Sequence, residues 1–284
     1  MTDCYLGIDA GGTQIRSAAV SVNGDLLSSL HSIPTGTKFD PQALRGFVAS
    51  SIEGIKNEVP DAVIKAVGMG ITGLVKVNRV VGSDFLPLLN EINLVELLSE
   101  VSGTPAALEN DARCFILGEA RFGAGKGFSN VTGITLGTGV GGAIIANGQL
   151  LHGARNNAGE VWEIPLRGKW LEYFVSTGGL VRTYGELGGK EPVTGAAEIA
   201  VLARNGDSSA LAAFRSFAAD VWSLCETYRA IIDPDIVVIG GSIAQARDVF
   251  GEDFQANVAK GTPRIGWAEL GGEAGLIGAA SIMM

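Results

Sequence analysis

Histidine is almost missing from this chain: His31 and His152 are the only two in 284 residues. That excludes sites built from several imidazoles and most triads that use one as base. Cysteine is scarce as well. Cys4, Cys114 and Cys225 are odd in number and far apart, which suits free thiols in a reducing compartment and neither a disulfide framework nor a zinc site. Basic charge is short: 21 Lys and Arg stand against 30 Asp and Glu, a net charge of −9 with no cationic block. A nucleic-acid partner needs such a footprint, so none is expected. The start carries Asp3 and Asp9 where an export leader would be basic and apolar, which predicts a cytoplasmic protein. The uncharged stretch 128–154 holds too many Gly, Thr and Asn for a spanning helix and reads as a buried hairpin, so no membrane partner is expected.

Glycine, by contrast, is abundant. The 41 glycines are about double the usual share, which points to tight turns or to backbone lying close to a ligand. Two long segments use them alike. YLGIDAGGTQIRSAAVSVNGDLLSSL opens the chain and GITLGTGVGGAIIANGQLLHG recurs from Gly133. Each reads as strand, Gly/Thr turn, strand, Asn-Gly turn and short third strand, the Asn-Gly pairs being strong hairpin signals. Two unrelated meanders could look this way; an internal duplication explains them better.

Helix and strand patterns follow each copy. Leu44, Phe47, Val48, Ile52 and Ile55 repeat at three and four residues after Asp40-Pro41, the signature of an amphipathic helix with its start signal. A strand ending in GMGITG, a helix NLVELLSEV and a strand PAALEN come next, and Asp111 lies just past that last strand. After the second copy a long helix from Ser209 is stopped by Asp233-Pro234, and the strand DIVVIGG follows. Three strands and then alternating helix and strand, twice over, imply two similar α/β domains with a ligand cleft between them.

Asp9-Ala10-Gly11-Gly12-Thr13 and Gly137-Thr138-Gly139-Val140-Gly141-Gly142 are candidate phosphate loops. Glycine lets successive backbone N–H groups converge on an anion, and a threonine hydroxyl adds a donor. Ordinary hairpin turns are the alternative for either alone; their duplicated placement favours phosphate. GTGVGG also fits a dinucleotide fingerprint, but that fingerprint needs a helix next, and AIIANGQLL reads as strand, turn, strand. Asp9, at the end of the first strand, can hold a water-coordinated magnesium ion or simply cap a turn. Asp111 can cap the following helix or act as a base.

Taken together, GIDAGGTQIRSAAV, ENDARCFILGEARFGAGKG, GITLGTGVGGAIIANGQLLHGARNNAGE, DPDIVVIGGSIAQ and GEAGLIGAAS resemble the ROK family of sugar kinases over nearly the whole length. The resemblance implies an α/β fold of two duplicated actin-like (ribonuclease H-like) domains with an interdomain cleft. Residues 1–111 with 272–284 would form a smaller N-terminal domain and 112–271 a larger C-terminal one. It implies an ATP-dependent kinase that uses Mg2+ and phosphorylates a hydroxyl of a hexose or amino sugar. Asn110 and Asp111 would bind the sugar, Asp111 as base, joined by Glu160, Glu172 and Gly73. Gly11, Gly12 and Thr13 would lie along the phosphates with Thr138 and Gly139 opposite, Asp9 at the metal, and Gly240 and Gly241 against the adenosine. A homodimer is suggested by family likeness alone.

The chain also departs from that pattern. Where the family has Gly-His shortly after the Glu160 position, this chain has GEVWEI, so Glu163 stands at the histidine's place. The zinc loop is shortened to IPLRGKW without cysteine, so no zinc is expected. Phe85 and Leu88-Leu89 replace the family's Asn and Trp before the second helix. Glu160, Glu163 and Glu172 around one ring would repel one another unless a positive charge intervened, which an amino sugar would supply; Glu163 turned outward is the other reading. A sugar-sensing repressor or a non-catalytic sugar-binding protein are the competing functions. The early first phosphate strand and negative charge argue against the repressor, and the retained Asp111 and Gly-Thr loops argue against the non-catalytic protein.

Overall fold

In the computed structural model, which describes residues 1–258 and 264–284, the chain forms two compact units. The first comprises Met1–Lys126, Gly153–Asn156 and Leu270–Met284; the second comprises Gly127–His152 and Asn157–Glu269.

The first unit begins with β1 (Thr2–Ala10), β2 (Gln14–Val20) and β3 (His31–Pro34). Helix α1 (Pro41–Glu58) starts where expected: Asp40 accepts a 2.8 Å bond from the Ala43 amide, and Pro41 takes the first position, where no amide partner is needed. Strand β4 (Ala62–Ile71), a small hairpin of β5 (Leu74–Lys76) and β6 (Arg79–Val81), helix α2 (Leu94–Ser102), strand β7 (Ala106–Asn110) and helix α3 (Asp111–Phe122) follow. The sheet order is β3-β2-β1-β4-β7, antiparallel through β1 and parallel beyond it.

The second unit repeats that plan. Strands β8 (Val131–Leu136), β9 (Val140–Ala146) and β10 (Gln149–Leu150) form the meander, and a hairpin of β11 (Pro165–Leu166) and β12 (Lys169–Trp170) follows. Helices α4 (Leu171–Phe174), α5 (Thr177–Glu186), α6 (Ala196–Arg204) and α7 (Ser208–Ile231) lead to β13 (Ile236–Gly240), α8 (Arg247–Val258) and β14 (Ile265–Trp267). The order β10-β9-β8-β13-β14 has the same mixed directions as the first sheet. The two sheets therefore share one topology, as the repeated segments imply. The meanders differ in one detail. Residues after Asn23-Gly24 make only a bridge from Leu26 to Val20, and the third strand waits until His31. The Ser28 hydroxyl takes the Ala19 amide at 3.0 Å, so a side chain does there what a strand partner would do.

The chain returns to the first unit for α9 (Ala274–Ser281). Alternation along β1 and β4 explains how α9 fits. Cys4, Leu6, Ile8, Val67, Met69 and Ile71 face α1 and α2 and build that unit's core. On the opposite face a methyl group at Gly68 would overlap the carbonyl oxygen of Ala279, so only glycine lets the helix backbone approach this closely. Gly278 meets the backbone of Cys114 in the same way, which presses α9 onto α3 as well. The boundary expected after Asp111 would part α3 from this partner, and α3 accordingly lies in the first unit. The second unit's core gathers β8, β13, α5, α6 and α7 around a cluster of Phe214, Phe217, Phe250 and Phe254.

Candidate functional site

In each unit the glycine turns singled out by sequence lie at the carboxyl edge of the parallel strands, where open α/β sheets hold ligands. In the first unit β1 runs into Gly11, Gly12 and Thr13, a turn closed by the Gly11 amide on the Gln14 carbonyl at 3.0 Å. Thr35 braces it, its hydroxyl on the Gly11 carbonyl at 2.7 Å and its amide on the Thr13 carbonyl at 3.0 Å. The end of β4 joins this edge through the Thr72 amide on the Ala10 carbonyl, and Gly73 follows. The end of β7 joins it through Asn110, whose side-chain amide donates to the Gly73 carbonyl at 3.1 Å. Phe85 is half exposed and lies against Gly12.

Asn110 also settles which residue caps α3. Its side-chain oxygen accepts the Arg113 amide at 3.1 Å, so Asn110 is the cap and Asp111 is the first helical residue, half-buried. Beneath them lies a buried network that sequence reading missed. Arg113, 1 % exposed, pairs with Glu109 at 3.2 Å. It also donates to the side-chain oxygen of Asn156 at 2.9 Å and to the Asn156 carbonyl at 2.7 Å. The same Glu109 oxygen accepts the Asn110 amide at 2.7 Å, and the Asn156 side chain reaches the Val75 carbonyl at 2.7 Å. A charged residue inside an otherwise apolar helical stretch, four positions after an acid, was the available signal.

Asp9 lies near the end of β1 beside Gly275 of α9, and it does not stand alone. Arg16 on the adjacent strand lies 2.5 Å from its carboxylate. No group of three or more metal-ligating side chains occurs among the described residues. A magnesium ion brought by a nucleotide needs only one or two carboxylates besides phosphate and water, so Asp9 fits that donor set. Zinc needs three or four side-chain ligands. Cys4, Cys114 and Cys225 are buried in β1, α3 and α7. Burial raises all three thiols, Cys114 and Cys225 steeply. The shortened loop is instead held by Arg167, which bonds Asp220 at 2.6 Å and stacks 4.1 Å over the Phe174 ring.

In the second unit Thr138 is exposed at the turn between β8 and β9, and Gly139 closes it by accepting the Gly137 amide at 3.0 Å. Thr177, at the start of α5, donates both its amide and its hydroxyl to the Gly137 carbonyl at 2.8 and 3.0 Å. Gly240 ends β13 and Gly241 follows at φ 90°, a left-handed conformation pressed against Leu136 where a side chain has no room. The second hairpin runs into a strand, as the reading against a dinucleotide fold requires. The three acids part company. Glu172 accepts the Val140 amide at 3.2 Å and so sits on the glycine turn itself. Glu160 accepts the indole N–H of Trp162 at 2.9 Å. Glu163 is exposed.

A model of the ROK family matches residues 5–284. The chain belongs to the ROK family. It is 31% identical to an N-acetylgalactosamine kinase AgaK of Shewanella, the match covering 97% of this chain and 95% of that one. It is 30% identical to a glucokinase of Streptomyces coelicolor, over 98% and 96% of the two chains. A ROK glucokinase of Streptomyces griseus, solved with glucose and AMPPNP, superposes with a TM-score of 0.79 at 26% identity over 98% of both chains. The ROK fold thus accounts for the two mixed sheets of this chain. No described helix is long and apolar enough to cross a membrane.

Proposed function

We propose that this chain is an ATP-dependent sugar kinase that phosphorylates a hydroxyl of a hexose or amino sugar with Asp111 as the base. Relatives named glucokinase and N-acetylgalactosamine kinase support the class, and the glucokinase crystallised with glucose and AMPPNP supports ATP as donor. The observation that carries the role of Asp111 is the division of labour at the head of α3. Asn110 does the capping and contacts Gly73, while Asp111 follows at the first helical position with its carboxylate accepting the Ala112 amide at 2.8 Å.

Phosphoryl transfer asks mainly for positioning and charge stabilisation. Backbone amides of Gly11, Gly12 and Gly139, with the hydroxyls of Thr13 and Thr138, supply the donors for the phosphates; Gly240 and Gly241 are assigned to the adenosine. Asp9 would hold Mg2+ through water, and the ion, when bound, offsets phosphate charge. Asn110, Asp111, Gly73, Glu160 and Glu172 are assigned to the sugar. Asp111 takes the hydroxyl proton as the oxygen attacks, a contribution of roughly 10²–10⁴ in rate. Glu163, which is exposed, is not assigned to the sugar.

ADP release with glucose, glucosamine, N-acetylglucosamine and N-acetylgalactosamine, each with and without magnesium, tests the reading. Turnover of at least one sugar is expected, together with a drop of about a hundredfold or more in Asp111→Asn while ATP still binds. No turnover with any sugar overturns the kinase assignment, and near-normal activity in the variant overturns the base.

A further inference from the structure

We infer that Trp162 is a positioning residue: its indole N–H fixes the carboxylate of Glu160 so that the acid meets a sugar in one orientation. The inference rests on the assignment of Glu160 to the sugar and goes beyond it.

The backbone around Glu160 is already pinned. Gly159 has φ 84°, and a methyl group there would lie 3.0 Å from the Ala143 Cα on β9. The Val161 amide bonds the Gly159 carbonyl at 2.8 Å, and Val161 is buried in the second unit's core. A Glu side chain is among the costliest to order, so a bond that holds its carboxylate before a ligand arrives lowers the cost of binding. The indole N–H reduces that cost. At 2.9 Å it makes a charge-assisted bond to Oε2, from a rigid ring with two torsions. The free protein therefore holds part of the orientation that binding would otherwise have to impose.

By the resemblance, Trp162 and Glu163 stand where the family has Gly-His. Glu163 is exposed, and Trp162 turns back onto Glu160. An indole donates at every physiological pH, whereas an imidazole changes charge near neutrality. Positioning by Trp162 is therefore independent of pH across that range.

Steady-state kinetics on the intact chain test this, with glucose as the probe or N-acetylgalactosamine where its turnover is faster. Trp162→Phe keeps a ring and loses the donor. It should raise the sugar KM about three- to tenfold, with kcat and the ATP KM within a factor of about two. Trp162→His restores a donor, but its sugar KM should vary with pH around 6–7, where an imidazole titrates, while the wild type stays flat. Because Trp162 is partly exposed, both variants should keep the wild-type Tm closely. In Glu160→Gln the Trp162→Phe change should add little, since the two side chains act as a unit. A normal sugar KM in Trp162→Phe with a raised one in Glu160→Gln overturns the positioning role alone. A normal KM in Glu160→Gln overturns the assignment of Glu160, and the positioning role with it.

Discussion

Arg16 grips Asp9 and the C-terminal segment with one nitrogen. Its Nη2 lies 2.5 Å from the Asp9 carboxylate and 2.8 Å from the Gly272 carbonyl. The two side chains are 22 and 18 % exposed, so solvent screens the pair only in part. Arg16→Met should cost about 1–3 kcal/mol in a urea titration. It should also speed amide exchange over 272–281 before the rest of the first unit loosens. An unchanged urea midpoint would show that the pair adds nothing to stability.

Arg113 faces a harsher test because it is fully enclosed. Arg113→Met takes the guanidinium from buried Glu109 and two donors from Asn156, for an expected loss of about 3–5 kcal/mol. Arg113→Lys keeps the charge but cannot reach both oxygens of Asn156 at once, so its loss should be smaller than that of Arg113→Met. Equal denaturation midpoints for Lys and Met would mean that the charge itself contributes nothing.

Asp220 provides a pH signature. Burial raises its carboxyl above the usual 3.8, while the Arg167 bond pulls the other way. A raised acid binds its proton more tightly in the folded chain than in the unfolded one. Its contribution to stability therefore declines as pH rises from 3.8 through the folded value and stays lost above it. Asp220→Asn removes that decline, so the variant should gain on the wild type between pH 3.5 and pH 7. Urea midpoints at the two ends measure the difference, and a constant gap would contradict the assignment.

All three thiols should be silent in the native state. Each is buried and raised by burial, so at pH 8 none presents a thiolate to solvent. A thiol reagent should label no cysteine of the folded protein and three after denaturation. Rapid stoichiometric labelling of the native chain would show that one of them opens locally.

Much of the architecture was legible because it is written in short-range chemistry. Asn147-Gly148 makes its turn, Asp40-Pro41 starts its helix, and Asp233-Pro234 stops α7 where patterning puts the stop. The glycine turns after β1 and β8 fell where expected because both copies obey one strand plan. What stayed hidden depends on partners far apart in sequence. Arg113 finds Asn156 across 43 residues, and Arg16 finds Gly272 across 256. No period or turn signal encodes such pairs. The placement of α3 was misjudged for the same reason: its partner helix lies at the far end of the chain. Of the three acids, Glu172 sits on the glycine turn and Glu163 is exposed, an arrangement set by tertiary contacts that the sequence pattern left open between two readings.

The late position of α9 has a consequence for how the protein is made. Residues of the second unit leave the ribosome before α9 does, and at about 5–20 residues per second the first sheet stands with an uncovered glycine-lined face in the meantime. The helix that carries Asp111 lacks its packing partner over the same interval. The first unit therefore completes its packing only after α9 has been made.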